Sequence, residues 1–71
     1  MDTYGQIIRF GRKRGFGFVL PDRQDGESEA IWFHARNVLG DESEIVPAAR
    51  VRFRVAYVRG RRVAELVEVI E

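Results

Sequence analysis

The chain has 71 residues, with 12 Lys and Arg against 11 Asp and Glu, a formal net charge of +1 and no cysteine. That length gives one small domain, spanning 1–71, with a modest core; without cysteine there is neither a disulfide framework nor a thiolate metal site, so stability must come from packed apolar side chains. No apolar run approaches the ~20 residues of a membrane helix, and the opening Met1-Asp2-Thr3-Tyr4 lacks the basic and apolar regions of a signal peptide, which predicts a soluble, cytoplasmic protein that avoids membranes.

Five segments rich in β-branched and aromatic residues predict strands at about 4–10, 15–20, 30–34, 50–58 and 62–69. A basic turn over 11–14 joins the first two, and a Pro- and Asp-rich stretch over 21–29 lets the second and third run antiparallel as neighbours. A long connection over 35–49, the one joint able to hold a helical turn, leads to a hairpin that turns at Arg59-Gly60-Arg61. This is the connectivity of an all-β fold, a five-stranded Greek-key barrel of the oligonucleotide-binding (OB) kind. In the fourth segment Val51, Phe53, Val55 and Tyr57 are expected to face inward, with Arg50, Arg52 and Arg54 outward. In the fifth, Ala64 and Leu66 are expected inward opposite Glu65. Val67, Val69 and Ile70 do not fit that face together, so a bulge or frayed end is expected near Val67.

The second and third segments carry the chemistry. Strand alternation puts Phe16 and Phe18 on one face and Gly17 and Val19 on the other; in the next segment Ile31 and Phe33 oppose Trp32 and His34. If the two strands pair, Phe16, Phe18, Trp32 and His34 form one platform on which unpaired bases can stack, at ~1 to 3 kcal/mol each. The cluster Arg12-Lys13-Arg14 stands immediately before the Phe strand, while Asp22, Asp25, Glu27, Glu29, Asp41, Glu42 and Glu44 sit in the long connections. Eleven of the twelve basic residues are Arg, a side chain that pairs with phosphate and stacks through its planar guanidinium.

On these residues, Arg14 to Val19 and Ile31 to His34, the chain resembles the bacterial cold-shock domain family in its two ribonucleoprotein motifs, and the likeness extends to Gly5 to Phe10 and to Val51 to Val55. It covers nearly the whole chain and is weakest over 40–49. The resemblance implies a cold-shock-like OB barrel that binds single-stranded RNA or DNA and keeps RNA unfolded or regulates transcription or translation. It adds Phe10 as a stacking ring and Arg9, beside Arg12, Lys13 and Arg14, as a phosphate or stacking contact. Three positions depart from the family: Arg9 stands where an exposed tryptophan is usual, Ala35 where a phenylalanine follows the histidine, and Ile8 where a lysine is usual. In partial exchange, the loop over 11–14 is more basic than usual, and Trp32 is a larger platform than the common phenylalanine.

Catalysis is not expected. His34 is the lone histidine and has no companions at metal-ligand spacing, and Ser28 and Ser43 stand in acidic loops without a nucleophile-elbow pattern. Gly15 and Gly17 lack the Gly-Lys-Ser or Gly-Lys-Thr ending of a phosphate loop. The expectation is therefore a monomeric single-strand binder with no cofactor, metal or enzymatic activity. Arg9, Ala35 and the seven loop acids favour the alternative of an accessory or protein-interaction OB domain, part of a larger chain, that has lost most nucleic-acid affinity.

Overall fold

The computed structural model describes residues 2–22 and 30–71; the acidic residues Asp25, Glu27 and Glu29 lie outside the described residues. Its strands are β1 (Thr3–Gly11), β2 (Phe16–Pro21), β3 (Ile31–His34), a two-residue β4 (Val38–Leu39), β5 (Arg50–Val58) and β6 (Arg61–Val69). The five long strands match the expected segments to within a residue at each end. β1, β2 and β3 form an antiparallel meander, β1 also pairs with β5, and β5 and β6 form a hairpin. The parallel bridge Trp32↔Val63 between β3 and β6 closes the ring, completing a five-stranded OB barrel. The long connection holds two 3-10 turns, Ala35–Asn37 and Glu42–Glu44, with β4 laid parallel on β6 between them.

Alternation fills the interior as expected. Ile7, Val19, Ile31, Phe33, Val51, Phe53, Ala64 and Val67 are buried, and Ile45 from the long connection joins them. Burying each of the larger side chains contributes about 1.5 to 3 kcal/mol, which is the main stabilisation open to a chain of this size. At the rim, the Arg50 guanidinium donates two hydrogen bonds to the Asp22 carboxylate, at 2.8 and 2.6 Å, and Arg52 pairs with Glu68. The two bonds from Arg50 hold the Asp22 carboxyl below its usual range. Their contribution is therefore present above the unfolded-state carboxylate pKa and is lost as pH falls through the lowered one.

Two inward assignments are corrected. Tyr57 is 71% exposed. β1 begins at Thr3, opposite Phe53, so among the described residues β5 beyond that point pairs with β6 alone, and the hairpin runs past the barrel mouth. Leu66 is also exposed. Arg52 pairs with Glu68 but Arg54 with Glu65, so β6 carries one extra residue, and Leu66 absorbs it in a left-handed conformation with φ of 52°. That bulge, expected near Val67, lets Ala64 and Val67 both point inward. The hairpin turns through Arg59 and Gly60, both at positive φ and flanked by the pair Val58↔Arg61, as a two-residue type I′ turn requires.

Gly17 shows how little room the barrel has. A Cβ built there would lie 2.5 Å from the Arg9 carbonyl oxygen, 2.8 Å from the tip of the Phe33 ring and 3.0 Å from Phe10 Cα. Two of these are fixed backbone atoms and the third belongs to a fully buried ring, so none yields cheaply. Gly17→Ala should therefore destabilise the protein by roughly 1 to 3 kcal/mol, read as a lowered urea midpoint at unchanged m-value. An unchanged midpoint would mean that β1 moves aside at no cost.

Candidate nucleic-acid interface

Pairing of β2 with β3 sets Phe18 opposite Trp32 and Phe16 opposite His34. All four rings stand on the outer face, because their sequence neighbours Gly17, Val19, Ile31 and Phe33 take the inner one. They touch one another: Phe16 and Trp32 lie near parallel at 6.3 Å between centroids, while Phe16 with Phe18 and Trp32 with His34 meet edge to face at 6.1 Å. Phe16, Phe18 and His34 are half-buried and Trp32 is 37% exposed. The face is therefore a set of rings held in place by each other, with their outer surfaces open.

β1 contributes Arg9 to this face and packs Phe10 partly into the core. Ile7 pairs with Val19 but Arg9 with Phe18, so a bulge at Ile8 reverses the alternation of β1 partway along. Arg9, which an unbroken strand would turn inward with Ile7, instead places its guanidinium carbon 5.3 Å from the centroid of the Phe18 ring, in cation–π range. Phe10 takes the inner phase opposite Gly17 and stacks on the buried Phe33 at 5.7 Å and 12°. Phe10, expected as a stacking ring, is half-buried: it packs on Phe33 and also lines a cleft on the outer side. That cleft, of about 300 Å³, has Arg9, Arg14, Phe16 and Phe18 in its walls.

The basic loop and His34 are tied together. The Gly15 N–H donates to the Gly11 carbonyl at 2.8 Å, closing the turn that carries Arg12, Lys13 and Arg14, all exposed. The Ala35 N–H donates to the Gly15 carbonyl at 2.8 Å, fixing that turn against the end of β3. His34 Nδ1 accepts from the Arg36 N–H at 3.0 Å, while Asn37 Oδ1 accepts from the His34 N–H at 3.0 Å. With Nδ1 accepting, the ring hydrogen of neutral His34 sits on Nε2. The three loop cations differ in surroundings: Arg14 lines the cleft beside Phe16, whereas Arg12 lies close enough to Asp41 to help hold that carboxyl below its usual range, after the larger effect of hydrogen bonding from Ser43. The structure thus gathers Arg9, Arg14, Phe16, Phe18, Trp32 and His34 around one face, with Arg12 and Lys13 exposed on the adjoining turn. Tyr57, expected in the core, also reaches the surface beside that face.

Because the outer rings contribute little to the interior, Phe16→Ala, Phe18→Ala and Trp32→Ala should each cost about 1 kcal/mol of stability or less, against about 3 to 5 kcal/mol for Phe33→Ala. Urea unfolding of the four variants measures the contrast, and comparable losses throughout would place the outer rings in the core.

No protein-family model matches the sequence, and no curated protein matches it. Among solved structures, the Drosophila structure "Unr CSD456" is similar across 100% of this chain, at 26% identity and a TM-score of 0.78. The present chain spans 27% of that chain. The barrel is similar in fold to that cold-shock-domain structure.

Proposed function

We propose that this protein binds single-stranded RNA or DNA with weak sequence preference. Bases stack on Phe16, Phe18, Trp32 and His34, and Arg9, Arg12, Lys13 and Arg14 take phosphates or stack through their guanidinium planes. One observation carries the reading: four aromatic rings are assembled outside a core that is already filled without them. Likeness to a cold-shock-domain structure supports nucleic acid as the partner class. Stacking tolerates any base, because every base has a π-face, and requires the base to be unpaired. The chain's part is to hold rings and cations in place, with no bond made or broken. Keeping RNA unfolded or regulating transcription or translation, as a cytoplasmic monomer, is the role such binding fits.

Trp32 is the sole tryptophan, so its fluorescence reports on the platform directly. Titration with unstructured oligonucleotides should quench it, and duplex of equal length should bind much more weakly. Phe16→Ala and Phe18→Ala should each weaken binding by roughly 1 to 3 kcal/mol. No binding at low salt would instead favour an accessory domain without nucleic-acid affinity, a reading to which Ala35 and the proximity of Asp41 to Arg12 give some support.

The loop cations should appear in the salt dependence. Replacing Arg12, Lys13 and Arg14 together with Ser should lower the slope of log affinity against log salt by about 2, at ~0.7 per phosphate neutralised on a single strand. Arg14→Ser alone should lower it more than Arg12→Ser alone, since Arg12 already faces the Asp41 carboxylate. An unchanged slope in the triple variant would mean that the loop points away from the bound strand.

A further inference from the structure

The face of rings does not stop at Trp32. On its far side a groove of about 560 Å³ lies between Phe18 and Trp32 and the β5–β6 hairpin, which contributes Tyr57, Arg61 and Arg62 to its wall. That volume falls within the ~300 to 1,000 Å³ of small-ligand sites. Tyr57 is the most exposed of the large apolar side chains among the described residues, at 71%. Among the described residues, folding does not account for an aromatic ring here: the cross-strand neighbour of Tyr57 is Arg62, and this stretch of β5 pairs with β6 alone. The hairpin from Val58 to Val63 carries three arginines, Arg59, Arg61 and Arg62, and no acid. An exposed ring flanked by guanidinium groups, in a groove whose opposite wall is the platform itself, is the arrangement that suits a base and its phosphate.

The geometry points to a further nucleotide subsite at the β5–β6 hairpin, where Tyr57 stacks an unpaired base of the strand that has crossed Trp32 and Arg61 takes the adjoining phosphate. This subsite rests on the single-strand reading above, and it makes binding depend on length. A short oligomer is satisfied by Phe16, Phe18, Trp32 and His34, whereas a longer one also reaches Tyr57.

The test compares oligothymidylates of about 4 and about 10 nucleotides, within the range of site sizes for such folds, by anisotropy of a labelled strand. Tyr57→Ser should weaken the longer oligomer by roughly 5- to 150-fold, the value of one stacked base, and leave the shorter within about twofold. Tyr57→Phe, which keeps the ring, should restore the gain with length. Arg61→Ser should lower the salt slope for the longer oligomer by ~0.7 and leave that of the shorter unchanged. Circular dichroism of each variant checks the fold, which an exposed substitution beyond the barrel mouth should leave intact. If Phe16→Ala weakens both oligomers while Tyr57→Ser weakens neither, or weakens both equally, the platform stands and the hairpin subsite is overturned. If the wild-type protein binds neither oligomer, the single-strand reading fails and the subsite falls with it.

Discussion

The narrowness of a five-stranded barrel governs the placement of every other group in this protein. Its interior is filled by Phe33, Phe53 and a set of aliphatic side chains, and at Gly17 it has no space for a methyl group. Strand alternation must then send the remaining rings of β2 and β3 to the outside. The crowding within and the aromatic surface without are thus two sides of one fact. Gly17 lets Phe10 lie flat on Phe33, while on the reverse of the same strand Phe16 and Phe18 stand clear of the core.

Two bulges adapt this scheme. The one at Ile8 reverses the phase of β1, trading Phe10 inward for Arg9 outward and bringing a cation over Phe18. The one at Leu66 brings Ala64 and Val67 onto the same inner face at the expense of an exposed leucine. Each inserts a single residue, and each changes which side chains a strand offers to the surface. Arg9 is best understood in these terms: it stands where a tryptophan would extend the ring surface, yet its guanidinium remains engaged with an aromatic neighbour.

The legibility of these features in the sequence depended on their range. Strands, turns and the shared face of Phe16, Phe18, Trp32 and His34 could be read because a two-residue period and the turn chemistry of Arg59-Gly60 are local signals. The outward Tyr57 could not, since it depends on where β1 begins relative to β5, a matter of register between strands some fifty positions apart. The packing of Phe10 on Phe33 was not legible for a similar reason: its face is decided by an extra residue at Ile8 that nothing in the local composition announces. The bulge near Val67 was visible only because too many apolar side chains competed for one face, and that competition did not say that Leu66 would be the one expelled. The pairing of Arg50 with Asp22 likewise joins residues far apart in the chain.

The closure of the barrel has a dynamic consequence. β5 and β6 are joined by a run of paired residues along their length, whereas β3 meets β6 at the one bridge between Trp32 and Val63. Regions with few backbone pairings open at lower free energy than the body of a fold. The seam where this cylinder is thinnest therefore runs beside Trp32, with Phe18 on one side and the β5–β6 hairpin on the other. Any ligand lying across that ring would bridge the seam, so occupancy and breathing of the barrel oppose each other, and amide protons of β3 and β6 near the bridge would register a bound strand through slowed exchange with solvent.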